Sequence, residues 1–397
     1  MKFDVDLYYT LTYAALALVI GYMLIDRIKL LASYSIPAAV VGGLLFAGLL
    51  TLVRGVAQIE VAFDGSLLTP LNIAFFTSVG LSADARALAK GGKTLVLFFV
   101  VVSAGLVMQN AIGVGLAMLF DMNPVNGLLA GSITLSGGHG TGAAWAGKFL
   151  EERNVQGAIE LAVAAATYGL VAGGVIGGPL AGWLIRRHKL QGVGTAAQRE
   201  AAAPLAEIPQ RTLIETLMLM VGSIAVGLSL YAWIGSGTFT LPSFIWALLV
   251  GVAIRNLLSL TGLYQVDDRA LDLLGGLSLS LFLSMIIMTL KLWELVDLAG
   301  PVLAILLTQT VAMIAFVVFV TFRVMGRNYD AALLATGHLG FSLGSTATAM
   351  VNVQSVAARF GESHLAFLVI PVMGAFLIDI ANALIIQGFL WLPWFNG

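Results

Sequence analysis

Ten stretches of mostly apolar sequence, each about the length that carries a helix across a bilayer, dominate this chain: roughly 7–26, 36–53, 66–83, 94–120, 158–185, 212–234, 241–260, 271–290, 298–322 and 364–392. A helix that is apolar on every face belongs in a membrane or deep in a large core. Ten of them in 397 residues leave too little polar sequence to cover such a core. Only 10% of residues are charged, against roughly 25% in soluble domains. In lipid each run must satisfy its own backbone, which a helix does within one segment. The expected class is an all-α polytopic membrane protein.

The charges that remain report orientation. A net charge of −1 offers no attraction for nucleic acid, and the absence of cysteine removes disulfides, thiolate metal sites and thiol nucleophiles. Asp4 and Asp6 precede the first span and no small-residue cleavage site follows it, so it reads as a retained helix, not a signal peptide. Basic loops stay in the cytoplasm, and Arg186, Arg187, Lys189, Arg199 and Arg211 crowd the one long polar stretch, 186–211. With that linker inside, only Lys2, Arg54, Lys148, Arg153 and Lys291 of the 20 basic residues fall outside, and both termini lie on the outer side.

Five spans before the linker and five after it oblige the halves, 1–185 and 212–397, to run in opposite directions. An offset of 205 residues supports an inverted repeat, pairing Pro37 with Pro242, Leu44 with Leu249, Leu128 with Leu333, Ala130 with Ala335, Thr141 with Thr346 and Gly169 with Gly374.

Two segments, 124–150 and 330–357, are apolar but rich in Gly, Ser and Thr. Residues 127–147 hold seven glycines and four hydroxyl residues, centred on Gly137-Gly138-His139-Gly140-Thr141-Gly142. Each glycine costs about 1 kcal/mol in a helix interior, so the backbone is expected to open at that run. Open backbone at membrane depth survives only when buried in protein or lining a wet cavity, which makes each segment a re-entrant hairpin. The second carries Gly337, Gly340 and Gly344 beside Ser342, Ser345, Thr346, Thr348 and Asn352. Opened helix ends offer N–H groups to carboxylates, while freed carbonyls and hydroxyls suit sodium. Small residues packing helices closely is the plainer reading of either run alone.

Asp379 is the sole ionisable side chain between Leu365 and Phe395. A carboxylate at mid-bilayer costs on the order of 3 kcal/mol or more, and Asn382 shares its helix face. The pair is read either as sodium ligands or as a proton-sensitive, hydrogen-bonding element. The 205 offset sets Gly174 and Gly177 opposite them, so the halves are not equivalent; Gly173-Gly174 and Gly177-Gly178-Pro179 would allow a close approach or a helix break. His139 and His338 could meet a substrate carboxylate or cap a freed carbonyl. Gln109-Asn110 and Gln309 could touch substrate or bridge helices. Pro37 and Pro242 read as helix starts or kinks.

These residues resemble the bacterial sodium/glutamate symporters over essentially the whole chain. The resemblance is carried by IP-x-x-V-x-GGLL at 36–45, the run Met108 to Gly113, AGSITLSGGHGTGAAW at 130–145, LKLWEL at 290–295, NYDAALLATGHLGF at 328–341 and FLIDIANALI at 376–385. It departs at Leu343-Gly344-Ser345-Thr346-Ala347, where family members vary, and the linker matches nothing diagnostic. The resemblance implies two inverted five-helix domains, each with a re-entrant glycine-rich hairpin. It further implies sodium-coupled uptake of L-glutamate across a bacterial inner membrane, no cofactor, and a homodimer in which a transport unit moves against a scaffold in elevator fashion. Carried over residue by residue, the substrate site comprises Ser136, Gly137, Gly138, His139, Gly140 and Thr141 in the first tip and Ser342, Gly344, Ser345 and Thr346 in the second. Asn382 completes it, with Asp379, Asn382 and Thr348 as sodium ligands. Two other readings stand beside this one: a carrier of another small dicarboxylate or hydroxyacid, since no arginine lies at the middle of a span to fix a second carboxylate, and an intramembrane hydrolase using a hairpin serine with His139 or His338. The hydrolase lacks an orienting acid for a triad, so no enzyme activity is expected.

Overall fold

A computed structural model of the protein describes residues 2–29, 31, 36–192, 208–234, 242–291, 299–361 and 363–395. The linker from Val193 to Glu207 and Leu292-Trp293-Glu294-Leu295 of the LKLWEL motif lie outside the described residues. Helices α1 (Leu7–Arg27), α2 (Ala38–Ala57), α3 (Leu68–Leu81) and α4 (Ala85–Leu119) open the chain. The first glycine-rich segment forms α5 (Pro124–Leu128), a π turn (Leu129–Ile133) and α6 (Gly138–Arg153), followed by α7 (Ala158–Arg187). After the linker come α8 (Gln210–Ile234), α9 (Ser243–Thr261), α10 (Asp268–Met288) and α11 (Ala299–Phe316), the last continued through a π turn to Val324. The second glycine-rich segment forms α12 (Tyr329–Leu343) and α13 (Thr346–Phe360). Then α14 (His364–Val372) and α15 (Ile378–Leu390) are joined by a π turn at Met373–Leu377.

Eight of these helices are long and apolar enough to cross a membrane, and Leu68–Leu81 and Ile378–Leu390 are shorter apolar helices. The protein is an all-α multi-pass membrane protein, with one small addition: Lys2–Val5 and Glu60–Phe63 pair as two parallel strands, Lys2 opposite Glu60 and Val5 opposite Phe63. Four-residue strands leave too short an alternation to read from sequence.

The helix starts follow from their caps. Asp6 accepts from the Tyr8 and Tyr9 N–H groups. Pro37 and Pro242 both sit in extended conformation immediately before α2 and α9, starting those helices without kinking them. Asn123 and Asn328, again 205 residues apart, cap α5 and α12, accepting from Val125 N–H at 3.0 Å and Ala331 N–H at 2.8 Å.

Two packing groups result. Helices α1, α2, α3, α8, α9 and α10 pack on one another; α4 to α7 and α11 to α15 form the second group. Small residues set the distances in the first group: a side chain at Gly42 would run into the Ala17 carbonyl, and one at Gly21 into that of Ala38. Between the groups the principal described contacts are α6 on α10 and α3 on the π turn of 373–377. A cavity of about 360 Å³ opens there, bordered by Asn72, Lys148, Glu151, Ser243, Phe244 and Phe282.

Where the chain passes from α3 into α4, Asn256 of α9 clasps it. Its amide donates to the Ala83 carbonyl and accepts from the Ala85 N–H, both at 2.8 Å. The buried Arg255 reaches Asp268 at 2.7 Å and Asp84 at 3.6 Å. Beyond the clasp, Gly92 interrupts α4 with φ 54° and ψ −150°, a left-handed conformation that costs glycine little.

Candidate functional site

The first break begins earlier than the glycine run predicts. Gly131 leaves helical geometry at φ −105° and ψ −137° inside the π turn, Thr134 and Leu135 are helical, and Ser136 and Gly137 form a turn. Helix then resumes at Gly138 and continues through Gly140 and Gly142, so the expectation of open backbone across 137–142 is corrected. The helical cost of these glycines is offset by close packing: a side chain at Gly140 would press on Phe75 and Leu279, and one at Gly142 on Thr134. The second break is tighter. Gly344 (φ −148°, ψ −92°) and the extended Ser345 separate α12 from α13.

The two breaks meet. Gly138 has φ 66°, open to glycine and strained for other residues, and a side-chain carbon there would lie 3.6 Å from the Gly344 carbonyl oxygen. Around this contact lie buried polar groups in a connected series. Ser136 Oγ donates to Gln109 Oε1 at 2.7 Å, and Gln109 Nε2 donates to the Ser342 carbonyl at 2.7 Å. The neighbouring Asn110 accepts from the Ser132 N–H at 3.0 Å, filling the opening left by the π turn. Ser132 and Asn382 are joined twice: Ser132 Oγ donates to Asn382 Oδ1 at 2.6 Å, and Asn382 Nδ2 to the Ser132 carbonyl at 3.0 Å. Asn382 therefore ties the last helix to the first break.

At the second break Ser345 caps α13, accepting from the Thr348 N–H at 3.2 Å, with the two hydroxyls also 3.2 Å apart. Thr346 Oγ1 donates at 2.8 Å to the carbonyl of Gly374 in the π turn before α15. Helix α6 differs, because Gly137 supplies no side-chain cap. No described side chain caps its first N–H groups, and the start of a helix is a position at which carboxylates can be held.

Other expected residues are placed differently. Thr141 is buried and packs on Gly137. His139 is buried, with Nε2 3.0 Å from Thr167 Oγ1 on α7. His338 lies in a box of Phe98, Phe316 and Phe341, its Nδ1 2.9 Å from Thr321 Oγ1 and its buried Nε2 without a partner among the described residues. Asp379 is half-buried on α15 and forms no hydrogen bond with Asn382 or Thr348 among the described residues. Helix α7 runs unbroken past Pro179; Gly173 and Gly177 serve close approach, with Asn352 Nδ2 donating to the Gly173 carbonyl at 2.9 Å. Gln309 bridges helices, its Nε2 donating to the Gln109 carbonyl at 2.6 Å. Ser132 was not distinguished by sequence from the segment's other hydroxyls; only its adjacency to the offset Gly131 reveals it.

The family model described as sodium/glutamate symporter matches residues 3–362. A sodium/glutamate symporter of Escherichia coli (strain K12) is 48% identical over 402 residues, covering 100% of both chains. One from Haemophilus influenzae (strain ATCC 51907 / DSM 11121 / KW20 / Rd) is 43% identical over 397 residues, covering 98% of each.

Proposed function

The chain belongs to the sodium/glutamate symporter family, and we propose that it carries L-glutamate together with sodium into the cell, binding both where the two glycine-rich breaks meet. The observation that carries the site is the contact of Gly138 with the Gly344 carbonyl, inside a shell of buried hydroxyls and amides. Such a place offers both polarities. The uncapped start of α6 presents N–H groups to a carboxylate, while Ser345, Thr346 and Thr348 add hydroxyls. Carbonyls released at the ends of α12 and of the first break are oxygen ligands suited to sodium, and Asp379 supplies the negative charge on the same side of the chain as Asn382.

The two breaks act as tips of re-entrant hairpins in two inverted repeats. Support comes from the constant offset of caps, Pro37 with Pro242 and Asn123 with Asn328, and from each half giving its first three spans to one packing group. The second group, which holds both breaks, moves as a transport unit against the first, the homodimeric scaffold. Gly92 is placed to bend as it moves, since the clasp at Asn256 holds the chain just before it. The protein resides in the bacterial inner membrane with both termini outside.

Uptake of labelled glutamate into proteoliposomes tests the reading, with inward sodium, potassium and proton gradients imposed in turn. Accumulation is expected with sodium alone, and uptake indifferent to the sodium gradient would sink the coupling.

A further inference from the structure

We propose that Gln109 is the positioning residue of the glutamate site: one side-chain amide spans the two breaks and sets how far apart they stand. The inference rests on the functional reading above and adds to it a residue from neither glycine-rich segment. Gln109 is fully buried on α4, and its two ends are used differently. Oε1 accepts from Ser136 Oγ in the first break, and Nε2 donates to the Ser342 carbonyl at the end of α12, each at 2.7 Å. That carbonyl is one released by the break before α13.

The bridge needs a donor and an acceptor on one planar group about the width of an amide. Among neutral side chains glutamine meets that need at this length; an ionised carboxylate only accepts, and an apolar side chain does neither. The backbone beneath it is held too. Gln309 Nε2 donates to the Gln109 carbonyl at 2.6 Å, and it can do so because Gly113, one turn on, has no side chain; a carbon there would lie 3.1 Å from Gln309 Nε2. Asn110, the next residue, holds the Ser132 N–H. Two consecutive residues of α4 thus fix the first break at Ser132 and Ser136, and one of them reaches across to the second. Substrate touching both tips must fit the gap that this amide defines.

Amides between membrane helices also serve stability alone, so the test needs readouts that a purely structural bridge would not move. Gln109→Leu keeps the volume and removes both bonds. At equal amounts of protein in the membrane it is expected to raise the half-saturating glutamate concentration roughly tenfold, the size of one or two buried hydrogen bonds. Gln109→Glu, measured at about pH 5.5 where a buried carboxyl is protonated and again both donates and accepts, is expected to restore it to within about twofold. Should Gln109→Leu fail to accumulate, Gln109→Asn carries the same expectation as the leucine variant, since it withdraws the amide by about one carbon–carbon bond.

The spacing itself is read by electron–electron resonance between spin labels at Glu152→Cys and Arg359→Cys, at the ends of α6 and α13 remote from the breaks, in a chain without natural cysteine. The distance distribution is expected to shift or broaden in Gln109→Leu. Unchanged half-saturation overturns the proposal. So does a changed half-saturation with an unchanged distance distribution, which would make Gln109 a direct substrate contact. If the unsubstituted protein takes up no glutamate, the functional reading has failed, and the label distance still decides the spacing role by itself.

Discussion

At the scale of single residues, the polar groups inside the membrane divide into those that satisfy one another and those that do not. Ser132 pairs with Asn382 and Gln109 with Ser136, and Asn110 adds to this network an acceptor for the Ser132 N–H while its own buried Nδ2 finds no partner among the described residues. Asp379 stands outside it with no hydrogen-bond partner among the described residues. A carboxylate in that situation takes up either a cation or a proton. We predict that Asp379→Asn, which keeps the shape and removes the charge, raises the half-saturating sodium concentration roughly tenfold, equivalent to about 1.4 kcal/mol of lost ion binding. An unaltered sodium dependence in proteoliposomes would remove Asp379 from the ligands. The histidines teach the opposite lesson. His338 is surrounded by three phenylalanine rings and bonded to Thr321, and its residue type alone gave no means of telling that box from a binding site.

At the scale of elements, glycine does two different jobs, and sequence density alone does not distinguish them. The run at 137–142 holds four glycines in six residues, yet most of it is helical, with Gly140 and Gly142 taking up close neighbours. The opening starts at Gly131, an isolated glycine whose departure from helix is held by Asn110 from another helix. Close approach also sets the first packing group, and it yields a paired prediction on one helix. A side chain at Gly42 meets the Ala17 carbonyl, whereas one at Gly48 meets nothing within 4 Å. Gly42→Val should therefore abolish folded protein in the membrane, while Gly48→Val should leave abundance and melting temperature within about the ±0.5 kcal/mol range of neutral surface changes. Equal behaviour of the two variants by detergent size-exclusion and thermal melting would contradict the crossing described.

At the scale of the whole molecule, two packing groups share one chain that passes between them at α3 to α4, through the linker, and at α10 to α11. The first of these passages is pinned by Asn256 and Arg255 before the bend at Gly92. An arrangement in which one group travels requires its connections to be fixed at one end and pliant at the other. Sidedness is tested directly because the protein has no cysteine. With Lys2→Cys, a membrane-impermeant maleimide applied to intact cells is expected to label the N-terminus. Labelling only after the inner membrane is opened would reverse the topology, and with it the direction in which each break faces.

The apolar helical runs and the two glycine-rich segments were legible in the sequence, because each depends on local hydrophobicity or turn chemistry. Pro37, Pro242 and the apolar runs behave as their own neighbours dictate. Which polar groups meet was not legible. Gln109 is 27 residues from Ser136 and 233 from Ser342, and Asn382 is 250 from Ser132. A hydrogen bond between residues that far apart depends on how the helices cross, a property of packed surfaces that no local pattern contains. Tertiary structure alone decided that the opening falls at Gly131, that His338 is enclosed by aromatic rings, and that one glutamine joins both breaks.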